Sequence, residues 1–182
     1  EDDHGPIVQP KCQFNMVVVR SLSHLPQIDE DEVTYTSRIK QQRENLFYCA
    51  VQMKSNTAVI IVDSGSCTNL VSQYLVDRLQ LATTLHPHPY KLHWMSIDGT
   101  IAINQQAQVQ FNMNGFEENV LCDVIPMDAC HILLGRPWMS DRKVTYEGSI
   151  NQLHFKINQK EVSVYALSPM QVQQACDTLM HE

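Results

Sequence analysis

Positive charge is scarce in this sequence: thirteen lysines and arginines stand against twenty aspartates and glutamates, for a net charge of −7. That balance excludes the basic face with which a protein neutralises nucleic-acid phosphates. Long apolar runs are also missing, and nothing approaches the ~20 consecutive apolar residues that would cross a bilayer, so no membrane partner is expected. Glu1-Asp2-Asp3-His4 is the reverse of the basic start and apolar run of a secretory leader, and a cytoplasmic location is expected. The six cysteines, at 12, 49, 67, 122, 130 and 176, include no Cys-x-x-Cys pair, and the step from Cys122 to Cys130 is not a zinc spacing. Their even count leaves disulfides open. Reduced thiols are the expectation, with Cys49 and Cys122 acting as small hydrophobes inside apolar strands.

Against that background one run carries chemistry. Ala58-Val59-Ile60-Ile61-Val62 leads straight into Asp63-Ser64-Gly65-Ser66. A buried strand that ends on a carboxylate must hydrogen-bond it, because a desolvated and unpaired charge is costly. The Ser-Gly-Ser that follows supplies both the donors and a tight turn. No Gly-x-Gly-x-x-Gly, phosphate-loop lysine or Asp-x-Asp accompanies Asp63, which sets aside nucleotide and phosphatase sites. The absence of Gly-x-Ser-x-Gly sets aside a serine hydrolase built on Ser64 or Ser66. Further on, His131-Ile132-Leu133-Leu134-Gly135-Arg136-Pro137-Trp138 is a second apolar strand broken by glycine.

The rest of the chain organises around these two strands. Residues 1–44, with prolines at 6, 10 and 26 and the acidic block Asp29-Glu30-Asp31-Glu32, read as a flexible acidic linker. A domain follows over 45–167, and 168–182 reads as a C-terminal linker. Leu46–Met53 and 58–62 are strand candidates joined by a turn at Ser55-Asn56. Leu70, Val71, Tyr74, Leu75 and Leu79 recur at helical spacing with Ser72 as N-cap. His86-Pro87-His88-Pro89 reads as an extended connector. Tyr90–Ile97 and Thr100–Val109 flank Asp98-Gly99, a strong hairpin signal. Phe111–Met113, Asn119–Ile125 and His131–Leu134 are further strands, and Ile150–Phe155 and Glu161–Leu167 make a last hairpin around Asn158-Gln159. Many short strands with one short helix predict an all-β fold. The histidines at 86, 88 and 93, with prolines between them, read as part of a solvated connector rather than as metal-binding.

The stretches IVDSGSCTNLVSQYLVDRLQL, PHPYKLHW, VLCDVIPMDACHILLGRPW and DRKVTYEG resemble the retropepsins, the single-domain aspartic proteases of retroviruses and LTR retrotransposons, and within them the gypsy-type branch. The likeness runs from about Leu46 to Leu167. It implies a closed or partly open β-barrel of the acid protease type and an aspartic endopeptidase that processes a Gag-Pol polyprotein, within a virus-like particle while part of that polyprotein. Asp63, Ser64 and Gly65 would be the catalytic motif. No second Asp-(Ser/Thr)-Gly exists, since Asp98 is followed directly by Gly99, so the site would be completed by a homodimer. Neither metal nor cofactor is called for.

The same resemblance implies that Ser64 bonds across the dimer axis and that the 90–109 hairpin is a flap. Ser66, Trp94, Ile97, Asp98 and Gly99 would then face a peptide substrate. A Ser66 hydroxyl donating to Asp63 would favour the ionised carboxylate, which predicts an acidic activity optimum that Ser66→Ala moves upward. Gly135 and Arg136 match the family's Gly-Arg pair and are read as structural. The acid that braces this arginine in retroviral members is replaced by Cys67-Thr68, leaving Asp141 as the substitute. The alternative is a retropepsin-like fold kept as a binding or dimerisation module without hydrolysis.

Overall fold

The computed structural model describes residues 41–93 and 100–180. The first hairpin pairs β1 (Phe47–Met53) with β2 (Asn56–Val62) in continuous antiparallel register, Phe47 opposite Val62 and Met53 opposite Asn56. The last five residues of β2 are all buried, and they feed two cores in alternation. Ala58, Ile60 and Val62 enter one cluster and Val59 and Ile61 the other. A strand covered on both faces needs an apolar run rather than an apolar–polar alternation, which is what 58–62 supplies.

β3 (Leu70–Ser72) passes directly into α1 (Gln73–Leu79), whose start is fixed by Ser72: its hydroxyl accepts the Leu75 N–H at 3.1 Å. β4 (Thr83–His93) and β5 (Thr100–Met113) form a long hairpin, and β6 (Phe116–Ile125) returns along β5 through a turn in which Asn114 and Gly115 both have positive φ. β7 (Ile132–Leu134) runs parallel to β2 and antiparallel to β3. The resulting seven-stranded sheet has the order β1-β2-β7-β3-β6-β5-β4, and a further pairing of β1 with β5 at Gln52 and Asn112 curls it into a partly closed barrel. After α2 (Arg136–Asp141), a three-stranded sheet β10-β9-β8 is formed by β8 (Thr145–Glu147), β9 (Gln152–Ile157) and β10 (Lys160–Tyr165). Leu153, Phe155, Val162 and Val164 join it to the first core, where Phe155 meets Trp138 edge-on at 5.3 Å. The all-β expectation holds.

Four details differ from the sequence expectations. Three full helices are found among the described residues rather than one, and residues 41–42 are helical as well. The connector expected at 86–89 is part of β4: the register to β5 shifts between Leu85 and Tyr90, so Pro87 and Pro89 fall in a bulge where no ladder N–H is needed. Residues 168–182, expected as a linker, contain α3 (Pro169–Met180), which buries Val172 against the second core. Ser168 and Gln171 cap α3 reciprocally, the Ser168 N–H on Gln171 Oε1 at 2.8 Å and the Gln171 N–H on Ser168 Oγ at 3.2 Å. Of the expected 1–44 linker only 41–44 lie within the described residues, and Gln42 there is tied down: its amide donates to Leu167 O at 3.0 Å and accepts from Asn151 Nδ2 at 2.8 Å. No helix among the described residues is long and apolar enough to cross a membrane.

Candidate active site

Parallel pairing of β2 with β7 brings the two sequence motifs together. Val62 lies opposite Leu134, and the Asp63 N–H donates to Leu134 O at 3.0 Å. The chain after β7 then folds onto the loop after β2. Gly135 N–H donates to Asn69 Oδ1 at 2.9 Å and Arg136 N–H to Ser66 O at 2.8 Å. Gly135 has no room for a side chain: a Cβ there would lie 2.3 Å from Thr68 O and 2.7 Å from Ser66 O, both backbone atoms. The glycine therefore sets how closely β7 approaches the Asp63 loop.

Within the loop, Asp63 is partly buried while Ser64 and Gly65 are exposed. Asp63 Oδ1 accepts the Gly65 N–H at 2.8 Å, and this is the one hydrogen bond made to the carboxylate among the described residues. A Cβ on Gly65 would come within 3.1 Å of the same oxygen, so this glycine too is there for close approach. The loop is closed by Ser66 N–H on Asp63 O at 3.2 Å. The arrangement leaves a carboxylate on a stiff loop with its second oxygen open to a further donor or to water.

Ser66 departs from its expected role. It is 1% exposed, and its hydroxyl donates to Thr68 O at 2.8 Å rather than to Asp63. A single hydroxyl proton committed to that carbonyl cannot also stabilise the ionised Asp63, and a side chain so buried does not meet substrate within this chain. Arg136 has an exposed side chain, with no ion pair to Asp141 or any other described residue, so the expected substitute brace is not formed. Its contribution here is its backbone N–H. Trp94, Ile97, Asp98 and Gly99 lie outside the described residues.

Beside the loop is a polar neighbourhood that the motifs did not announce. Asp123, in the middle of β6, receives Thr68 of the loop, Tyr90 and His86 of β4 and Gln106 of β5. Burial, and the acceptor Asp123, push the Tyr90 hydroxyl well above the ordinary tyrosine range, so it stays a proton donor. Thr68, His86, Gln106 and Asp123 edge a cavity of about 450 Å³ whose wall includes Glu118, held by Arg142 at 2.6 Å, and Trp138, whose indole N–H has no acceptor among the described residues. The one sequence signal for Asp123 was an acid inside the apolar run Val120-Leu121-Cys122-Asp123-Val124-Ile125. Four cysteines, at 49, 67, 122 and 130, form no disulfide, and burial pushes Cys49 up to about 12, which keeps it protonated and inert. Among the described residues no three His, Cys, Asp or Glu side chains are grouped to hold a metal ion.

Comparison with known proteins agrees with the fold. The sequence model described as "PEG10/RTL1 protease domain" matches residues 59–163, a span that takes in Asp63, Asp123 and the Gly135-Arg136 pair. Among solved structures, the retroviral protease-like domain of Ddi1 from Leishmania major matches with a TM-score of 0.51 at 13% identity, over 69% of this chain and 96% of that one. At that identity the likeness is one of fold. No curated protein matches the sequence.

Proposed function

The chain belongs to the PEG10/RTL1 protease domain family and has a retropepsin-like fold, and from that premise we propose that it is an aspartic endopeptidase active as a homodimer. The observation that carries this reading is the state of Asp63: a carboxylate on a loop fixed from both sides by β7, taking one internal N–H and otherwise open. A twofold axis through the loop places a second Asp63 opposite the first. Two carboxylates about 3 Å apart cannot both ionise, so the pair holds one proton between them. The ionised member takes a proton from water, that water attacks the peptide carbonyl, and the protonated member donates to the carbonyl oxygen. Because the pair must keep its shared proton, activity is expected on the acid side of neutrality.

Other parts of the chain fit the dimer. Ser64 is exposed at the loop tip, free to bond the partner's loop across the axis. β8 is the outer strand of its sheet, its three residues are all exposed, and such an edge pairs readily with another copy. In this reading the β4–β5 hairpin borders an extended, apolar-flanked peptide of a Gag-Pol-type polyprotein. The natural domain would then run from about residue 45 to 167 with α3 docked behind it.

Cleavage of a precursor or an extended peptide by the chain, and by Asp63→Asn, tests the proposal across protein concentration. Specific activity should rise with concentration, respond to a transition-state-mimicking aspartic protease inhibitor, and vanish in the variant. A folded dimer with no Asp63-dependent cleavage would turn the reading to a binding or dimerisation module.

A further inference from the structure

Three hydrogen bonds converge on the carboxylate of Asp123, which is 4% exposed. Thr68 Oγ1 at 3.0 Å and the Tyr90 hydroxyl at 2.6 Å donate to Oδ2, and Gln106 Nε2 at 2.8 Å donates to Oδ1. His86 Nε2 lies alongside, 3.3 Å from Oδ1, while its other ring nitrogen, Nδ1, accepts the His88 N–H at 3.0 Å. A carboxylate has room for about four donors, so this one has little capacity left. Its own N–H adds a bond to Asn69 O at 2.9 Å.

The donors come from three segments that border the candidate site: the Asp63 loop, β4 and β5. β4 is the outermost strand of the seven-stranded sheet and is held in it by β5. Its side-chain tie to the loop therefore runs through Asp123. Stability alone does not account for such a hub, because a buried charge with all its partners gains little over a well-packed apolar residue. What the charge adds is one fixed arrangement of the segments that donate to it.

We propose that Asp123 is a positioning residue of the protease site, clamping the β4–β5 hairpin to the Asp63 loop so that the two hold a peptide in one register. This rests on the protease reading above. The hydroxyl of Tyr90 makes the shortest of the three bonds, and Tyr90→Phe removes it while keeping the ring. Asp123→Asn is the second variant, which retains the shape and loses the charge.

Hydrogen exchange on the intact chain reads the clamp without any need for activity. In both variants, exchange should quicken together at 63–72 and 83–93 by about tenfold, the size of one charge-assisted hydrogen bond. Quickening in 83–93 alone, or nowhere, overturns the clamp. In the cleavage assay, with sites counted by a tight-binding inhibitor, Tyr90→Phe should raise KM about tenfold while kcat per counted site stays within about threefold. Fewer counted sites with unchanged KM would mean a structural role only and would also overturn it. If the wild-type chain cleaves nothing, the protease reading falls, and the exchange result still decides the clamp.

Discussion

Asp63 and Asp123 are both carboxylates carried by apolar strands, and the chain surrounds them in opposite ways. Asp123 sits within β6, 4% exposed, with three hydrogen bonds on its carboxylate and His86 alongside. Asp63 sits just past the end of β2, partly exposed, with one N–H on one oxygen. The backbone around Asp63 is as firmly bonded as that around Asp123, so the difference lies in the side chains alone. A carboxylate so engaged can only hold things in place. An under-satisfied one on a rigid loop can accept a proton, a water or a second carboxylate, which is the condition for acid–base work.

The largest expected effect breaks the frame that both acids share. Gly135→Ala drives a Cβ into the Thr68 and Ser66 carbonyl oxygens, and the loss should be about 3 kcal/mol or more, seen as a large drop in the urea midpoint and loss of cleavage. Next comes the direct contrast between the acids. Asp123→Ala leaves the part-buried donors Thr68, Tyr90 and Gln106 without their acceptor and should lose about 3 kcal/mol, whereas Asp63→Ala should stay within about 0.5 kcal/mol of the parent while abolishing cleavage. Equal stability losses in the two would erase the distinction drawn here.

A smaller effect follows from His131. Its Nδ1 accepts the Val59 N–H at 3.0 Å, and burial, aided by the charge of Arg78, holds the ring below its ordinary 6.5. The unfolded chain takes up that proton near 6.5 and the folded chain does not. Stability is therefore full above that value and falls as pH drops below it, by up to about 1 kcal/mol between pH 7 and 5.5. Urea unfolding at the two pH values should show this in the parent and less of it in His131→Asn. The smallest effect is Ser66→Ala: about 1 kcal/mol of stability for the lost bond to Thr68 O, with the pH profile of cleavage unmoved. A shifted profile would mean that the hydroxyl reaches Asp63 in the working dimer.

Much of the frame was legible because it is local. The apolar run 58–62, the Ser72 cap and the Asn158-Gln159 turn each act over a few residues, and so does the Asp63-Ser64-Gly65 loop. The Asp123 hub was not legible: its partners at 68, 86, 90 and 106 meet only after β3 pairs with β6 and β4 with β5. The prolines of 86–89 hid a strand because a bulge removes their penalty. α3 carried an overlooked signal, the capping pair Ser168 and Gln171 around Pro169. Ser66 was misjudged because sequence adjacency to an acid does not fix where a hydroxyl points.

The central claim is that one active site is made from two copies of Asp63, and mixing subunits tests it most directly. Wild-type chain and Asp63→Asn chain would be combined in varying ratio at fixed total concentration, allowed to exchange, and assayed for cleavage. A shared site predicts that activity follows the square of the wild-type fraction, falling to about one quarter in an equal mixture. A fall in simple proportion, to about half, would mean that each chain carries a complete site and would contradict the account.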